Sequence, residues 1–234
     1  MRSALFVASA ASGWTLEDGT VHPTGFWAEE LTEPHRILTE AGCNVVFATP
    51  GGVAPTVDEA SIGFMGGTKS KREKTRAYLN SLAGELSGPL SLDEVDLDVY
   101  DLVFYPGGHG PMEDLAHDPV SGAMLRDRLA SDRPLALVCH APAAVLAATD
   151  EQGRNAFRGL LMTGFSNLEE RLNPFSWKAK WLLEDRLKEA GIRYSKSLIP
   201  LKAHIDKDGT LYTAQNPASA ATPAKKLVKN LGRG

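Results

Sequence analysis

A chain of 234 residues, 43% hydrophobic and 23% charged, has the length and composition of one large folded domain with a sizeable core. Its formal net charge of -4 excludes a general affinity for nucleic acid or an anionic membrane. Two cysteines, Cys43 and Cys139, exclude a disulfide framework and suit a reducing cytoplasm, and no stretch is long enough to span a bilayer.

Ala4 to Ala8 reads as a first strand. Its apolar run ends too early for a secretion signal, and a Ser/Gly-rich loop continues to about Gly25. From Phe26 the spacing of Trp27, Leu31, Ile37, Leu38 and Ala41 is helical, with a break expected near Pro34 and Gly42 as C-cap. Asn44 to Thr49 is a second strand, which makes a βαβ unit and implies a parallel sheet with a right-handed crossover. Val53 to about Asp98 interrupts this alternation. It carries the basic run Lys69 to Arg76 and then helical spacing at Tyr78, Leu82 and Leu86. No aromatic residues interleave the basic run, so it reads as a solvated helix face, and the whole segment as a helical lid.

Tyr100 to Tyr105 resumes the strand pattern and ends in Pro106-Gly107-Gly108-His109-Gly110-Pro111, whose glycines let the backbone pass close to a ligand. A helix from about Pro119 to Ser131 leads to Leu135–Val138, a strand apolar on both faces, and then to Cys139-His140. Pro142 belongs just inside the helix expected after this turn. A thiol there feels the positive end of the helix, which favours thiolate. Leu160 to Gly164 reads as a strand, Trp177 to Gly191 as one amphipathic helix, and Tyr194 to Leu198 and Leu211 to Ala214 as late strands before a terminal helix from about Ala218. The order is that of a doubly wound, mostly parallel α/β sheet with helices on both faces, in one domain spanning residues 1–234 with an insertion at 53–98.

Ligands bind such sheets outside the carboxyl ends of the strands, where the Gly108-His109-Gly110 loop, Cys139-His140 and Ser166 to Glu170 all fall. A cysteine nucleophile needs a base and a group that orients the base. His140 is the first candidate base and His109 the second. Spacing alone does not choose between Glu29 and Glu30, or between Glu169 and Glu170, as the acidic partners. His22, His35 and His117 show no metal-ligand spacing with one another. Trp27, three residues before Glu30, is placed to wall a pocket.

Four stretches, Tyr105-Pro-Gly-Gly-His-Gly-Pro-Met-Glu-Asp-Leu115, Val138-Cys-His-Ala-Pro-Ala143, Thr163-Gly-Phe-Ser166 and Asn216-Pro-Ala-Ser-Ala220, together resemble the ThiJ/PfpI superfamily. The resemblance runs along nearly the whole chain and is strongest to the glutathione-independent glyoxalase III and stress-chaperone branch, sometimes described as protein deglycases. It implies a fold like that of class I glutamine amidotransferase domains, with Cys139 as nucleophile and His140 as general base. Glu30, in a Thr-Gly-x-x-x-x-Glu run from Thr24, matches the glutamate that contacts the thiol, and Glu170, seven residues after Thr163, matches the carboxylate partner of the histidine. Glu169 takes that part if the loop is shifted by one residue. The N–H groups of Gly108 and His140 would form an oxyanion hole, with His109 and Trp27 beside the substrate. Ala141 stands where the family usually has Gly, and its methyl group is expected to narrow the elbow. The implied activity converts methylglyoxal and related 2-oxoaldehydes to D-lactate and other 2-hydroxy acids, with no metal or other cofactor, in a cytoplasmic homodimer without nucleic-acid or membrane partners. A chaperone or deglycase, or a Cys hydrolase or hydratase on the same fold, are the competing readings.

Overall fold

The computed structural model describes residues 2–173 and 175–231. The chain begins with β1 (Arg2–Val7), the hairpin β2 (Gly13–Thr15) and β3 (Val21–Pro23), α1 (Ala28–Glu40) and β4 (Cys43–Thr49). Short α2 (Glu59–Ile62), long α3 (Lys69–Ser81), α4 (Ala83–Leu86) and β5 (Leu90–Ser91) come next, then β6 (Leu102–Tyr105), α5 (Gly110–Glu113) and α6 (Pro119–Ala130). The second half holds β7 (Leu135–Val138), β8 (Leu161–Met162), α7 (Asn167–Glu170), α8 (Leu183–Glu189), β9 (Arg193–Tyr194), β10 (Ile205–Asp208), β11 (Leu211–Ala214) and α9 (Ala221–Leu231). The main sheet runs β10-β11-β7-β6-β1-β4-β5 and is parallel except for β10, which pairs antiparallel with β11 at the edge.

The period of two in a strand explains why the central segments are apolar throughout. Ala4 and Phe6 of β1 join Phe47, Phe104 and Val138 in a core cluster under α1 and α9. Leu5 and Val7 face the other way, with Tyr105, Leu137, Leu125 and Leu187. The parallel registers Ala4↔Leu102, Phe104↔Ala136 and Val138↔Ala214 align the carboxyl ends of β1, β6, β7 and β11 at one edge. The chain steps from β1 to β4 on one side and returns to β6 on the other, which opens a crevice at that edge.

Several local expectations change in three dimensions. The loop after β1 contains the β2–β3 hairpin, and α1 runs without interruption through Pro34. The expected helix from Trp177 to Gly191 is a one-turn 3-10 segment, Ser176–Lys178, an extended joint, and then α8. The Lys178 carbonyl accepts a hydrogen bond from Glu17 N–H at 2.8 Å, so the hairpin loop claims an acceptor that a longer helix would use. Of the expected late strand from Tyr194 to Leu198 only Tyr194 lies in β9, which pairs with β8 apart from the main sheet. Among the described residues no helix is long and apolar enough to cross a membrane.

Candidate active site

Cys139 comes directly after the last residue of β7 and has φ 59°, in the left-handed region that non-glycine residues occupy at a cost of about 1–3 kcal/mol. The neighbouring strand and loop hold it there. Its N–H donates to Ala214 O at 2.8 Å, and its carbonyl accepts from Phe165 N–H at 2.8 Å. The turn aims the thiol out of the sheet edge. Beyond His140 the chain forms a seven-residue 3-10 helix, Ala141–Ala147, rather than the expected α-helix. Burial, and after it the carboxylates of Glu30 and Glu170, push the Cys139 thiol up. The expectation of a thiol tuned towards thiolate by an α-helix end is not met in geometry, since the segment is a short 3-10 helix, and burial and the neighbouring acids work against the thiolate.

His140 Nδ1 lies 3.3 Å from Cys139 Sγ, and its Nε2 lies 2.6 Å from Glu170 Oε2. His109 Nε2 reaches the other oxygen of the same carboxylate at 3.0 Å, and Asn173 Nδ2 donates to that oxygen at 3.3 Å. Burial opposes the ionisation of Glu170, but the two imidazoles outweigh it and hold the carboxyl well below the usual range. An anionic Glu170 accepts from both rings, so the proton of His140 sits on Nε2. Burial and the neighbouring His109 hold the His140 pKa below its ordinary value, which leaves Nδ1 as a free acceptor facing the thiol. His109 goes the other way. Burial disfavours its charge, yet Glu170 raises its pKa above the ordinary value. The rings follow one another in a row, with Trp14 stacked on His109 at 4.4 Å, and His109 on His140 at 4.2 Å and His140 on Phe165 at 4.5 Å both tilted.

Glu30 arrives from the first turn of α1. It is fully buried, and neither oxygen has a well-formed hydrogen bond in the protein; the carboxyl faces Cys139 and the Gly107 backbone. Burial pushes it up to about 8, against the favourable contact with the thiol. Glu29 points elsewhere and pairs with Lys71 Nζ at 2.7 Å. Close packing here depends on glycine: a Cβ on Gly107 would lie 2.4 Å from Val138 O and 2.6 Å from Glu30 Oε2. Gly108, at φ 104°, brings its backbone against Gly25 and Trp27. Among the described residues the N–H groups of Gly108 and His140 have no acceptor in the protein.

A cavity of about 320 Å³ opens over the thiol, with Trp27, Gly108, His109, His140 and Phe165 in its wall. Met65, Gly66, Gly67 and Lys71 of the 53–98 segment form part of the same wall. Ala141 instead is fully buried in the core cluster that includes Leu137 and Leu183 and is not among the residues that line this space. Glu169 is not the imidazole's partner. Its carboxylate accepts from Ser166 Oγ at 2.7 Å, Gln215 Nε2 at 2.6 Å, Asn216 Nδ2 at 2.8 Å and Leu201 N–H at 3.0 Å. Ligand atoms of His109, His140 and Glu170 lie within 4.8 Å of one another, a spacing open to a metal ion, although the carboxylate is already engaged by both imidazoles. Trp14 and Asn173 carry no signal in the sequence, since a loop aromatic or amide has no spacing that marks it, and Phe165 is legible only as part of the Thr163-Gly-Phe-Ser166 stretch.

Residues 21–230 match the DJ-1/PfpI family. The chain is 28% identical over 240 residues to the protein/nucleic acid deglycase HchA of Staphylococcus aureus strain Newman, covering 97% of this chain and 79% of that protein. The crystal structure of Rapid Encystment Protein 24 kDa from Francisella tularensis superposes with a TM-score of 0.84 at 28% identity, covering 99% of both chains. Glyoxalase III from Candida albicans has the same fold, with a TM-score of 0.81 at 21% identity over 97% of this chain and 96% of that one. With its motifs at the carboxyl ends of β6 and β7 and the match extending over nearly all of its length, this chain belongs to the DJ-1/PfpI family.

Proposed function

We propose that this protein is a glyoxalase that converts 2-oxoaldehydes to 2-hydroxy acids on Cys139, without glutathione. One observation carries the reading: the thiol lies between two buried proton carriers, the free Nδ1 of His140 at 3.3 Å and the carboxyl of Glu30 held up at about 8. Addition of a thiol to an aldehyde and migration of a carbon-bound proton both need a base near neutrality.

Cys139 Sγ adds to the aldehyde carbon while its proton passes to His140 and on to the carbonyl oxygen, which gives a hemithioacetal. The N–H groups of Gly108 and His140 stabilise the oxyanion. His140 then takes the proton from C1, and the enediol is reprotonated at C2 to leave a 2-hydroxyacyl thioester. Water attacks the thioester carbon, the sulfur leaves and regains its proton, and the acid departs. One water is consumed per aldehyde. Residues 53–98 serve as the lid through Met65 and Lys71, and His109 with Asn173 keeps Glu170 in place.

The test supplies purified protein with methylglyoxal and no glutathione and measures D-lactate for wild type and Cys139→Ala. The wild type turns over and the variant falls to background. A silent wild type, or equal rates, overturns the reading. The name of the staphylococcal relative supports a second reading, removal of the same aldehyde from protein or nucleotide amines. Preformed amine adducts supplied with a scavenger for free aldehyde separate the two. Exposed Phe64 and Leu198 are what a chaperone role would use, and aggregation suppression that survives Cys139→Ala favours it.

A further inference from the structure

We infer that the cavity over Cys139 is a subsite for an uncharged apolar substituent, so that the preferred substrates are 2-oxoaldehydes bearing an aryl or longer alkyl group rather than methylglyoxal itself. The inference rests on the glyoxalase reading and deepens it.

Three observations lead there. The first is size. At about 320 Å³ the cavity lies in the range of about 300–1,000 Å³ that holds ligands much larger than a three-carbon aldehyde. The second is the state of the charged and amide side chains in the wall, which are turned to protein partners. Lys71 Nζ is on Glu29 at 2.7 Å, Asn216 Nδ2 is on Glu169 at 2.8 Å, Asn173 Nδ2 is on Glu170 at 3.3 Å, and His109 is on Glu170 at 3.0 Å. Glu29 offsets the charge of Lys71 and Glu170 that of His109, so a substituent carrying phosphate or carboxylate meets neutralised pairs there rather than a lone cation. The third is the mouth. Met65, Leu172 and Leu201 line the cavity and are 57%, 61% and 54% exposed, on three separate segments that converge on one opening. With Trp27 and Phe165 deeper in, they form a continuous apolar path from solvent to the thiol, and its surface is removed from water when an apolar group fills it. Among the described residues the thiol, His140, the Trp27 indole N–H and the two free backbone N–H groups are left to meet the polar end of the substrate, which fits an aldehyde at the bottom and hydrocarbon above.

The experiment compares kcat/KM for methylglyoxal, a series of straight-chain alkylglyoxals and phenylglyoxal. Burial of each added methylene is expected to raise kcat/KM about three- to fourfold until the cavity fills. Phenylglyoxal is expected to exceed methylglyoxal at least tenfold, mainly through a lower KM. Leu172→Ser and Met65→Ser, both at exposed positions, are expected to compress the phenylglyoxal to methylglyoxal ratio towards one. A wild-type ratio at or below one, with methylglyoxal turned over, overturns the apolar subsite and leaves the glyoxalase reading intact. If no 2-oxoaldehyde is turned over, that reading falls, and the subsite is decided by whether acetophenone slows alkylation of Cys139 by iodoacetamide: protection supports it, and no protection overturns it. If the two serine variants change the oligomeric state in sedimentation and not the ratio, the mouth is a contact between copies of this chain and the inference is wrong.

Discussion

Glu29 and Glu30 are neighbours in sequence with opposite physical situations, and the difference defines the chemistry at Cys139. The helical rotation between successive residues turns Glu29 to the mouth, where Lys71 pairs with it, and Glu30 into the protein, where the thiol and Gly107 face it. Burial comes first among the causes that push the thiol up, and Glu30 comes second. Glu30→Gln removes the negative charge, so the half-point of Cys139 alkylation by iodoacetamide is expected to move to lower pH; an upward shift would show that Glu30 instead stabilises the thiolate by donating its proton. Glu170 holds His140 and His109 together. Glu170→Gln is expected to lower kcat/KM by about 10²–10⁴, because the amide cannot balance the charge or set the ring tautomer. A loss below threefold would remove Glu170 from the site. Of these residues, Cys139 and His140 are legible because they share one turn. The two glutamates are legible only through the motif, since a helical glutamate is ordinarily surface.

The elements place these groups through a few contacts that carry no periodicity. Glu169, in the same short helix as Glu170, binds the Ser166 cap, Gln215 and Asn216 after β11, and the Leu201 backbone. One buried carboxylate thus ties three segments around the cavity. Glu169→Ala leaves these donors unpaired and is expected to destabilise the fold by about 2–4 kcal/mol in urea titration; a change under about 0.5 kcal/mol would show that the donors find other partners. The approach of the β6 loop to the elbow is as tight. Gly107→Ala places a methyl group 2.4 Å from Val138 O and 2.8 Å from Cys139 Cβ. Loss of activity together with about 1–3 kcal/mol of stability is expected from that overpacking. The Trp177–Gly191 segment shows the limit of pattern reading: its apolar spacing is helical, yet it is interrupted where Lys178 O is taken by Glu17 N–H.

At the scale of the molecule, two core layers pack on one sheet, and α1 is the beam that joins the site to the outer layer. His35 on α1 is buried against Phe6 and Phe47, and its Nδ1 is 2.9 Å from Tyr78 Oη on α3. Burial lowers its pKa to about 4. The unfolded chain therefore takes up the proton first. The stability His35 contributes is complete above about 6.5 and is lost as pH falls towards about 4, with about 2 kcal/mol of it gone by about pH 5. Urea midpoints at pH 7.5 and 5 check this: His35→Leu should reduce the fall, and an unchanged fall would assign it to other groups. By itself the sequence determined the parallel α/β sheet, because continuous apolar runs of strand length alternating with helical spacing have few other ways to bury both faces. It also determined the Cys139-His140 elbow and the carboxyl edge on which it stands. Only the tertiary structure decided that Glu170 serves two imidazoles, that Glu169 serves none, that Ala141 is buried in the core and that the thiol is pushed up. Each of these depends on which side chains meet across long sequence separations, and burial and charge act through distance in space, which spacing along a chain does not encode.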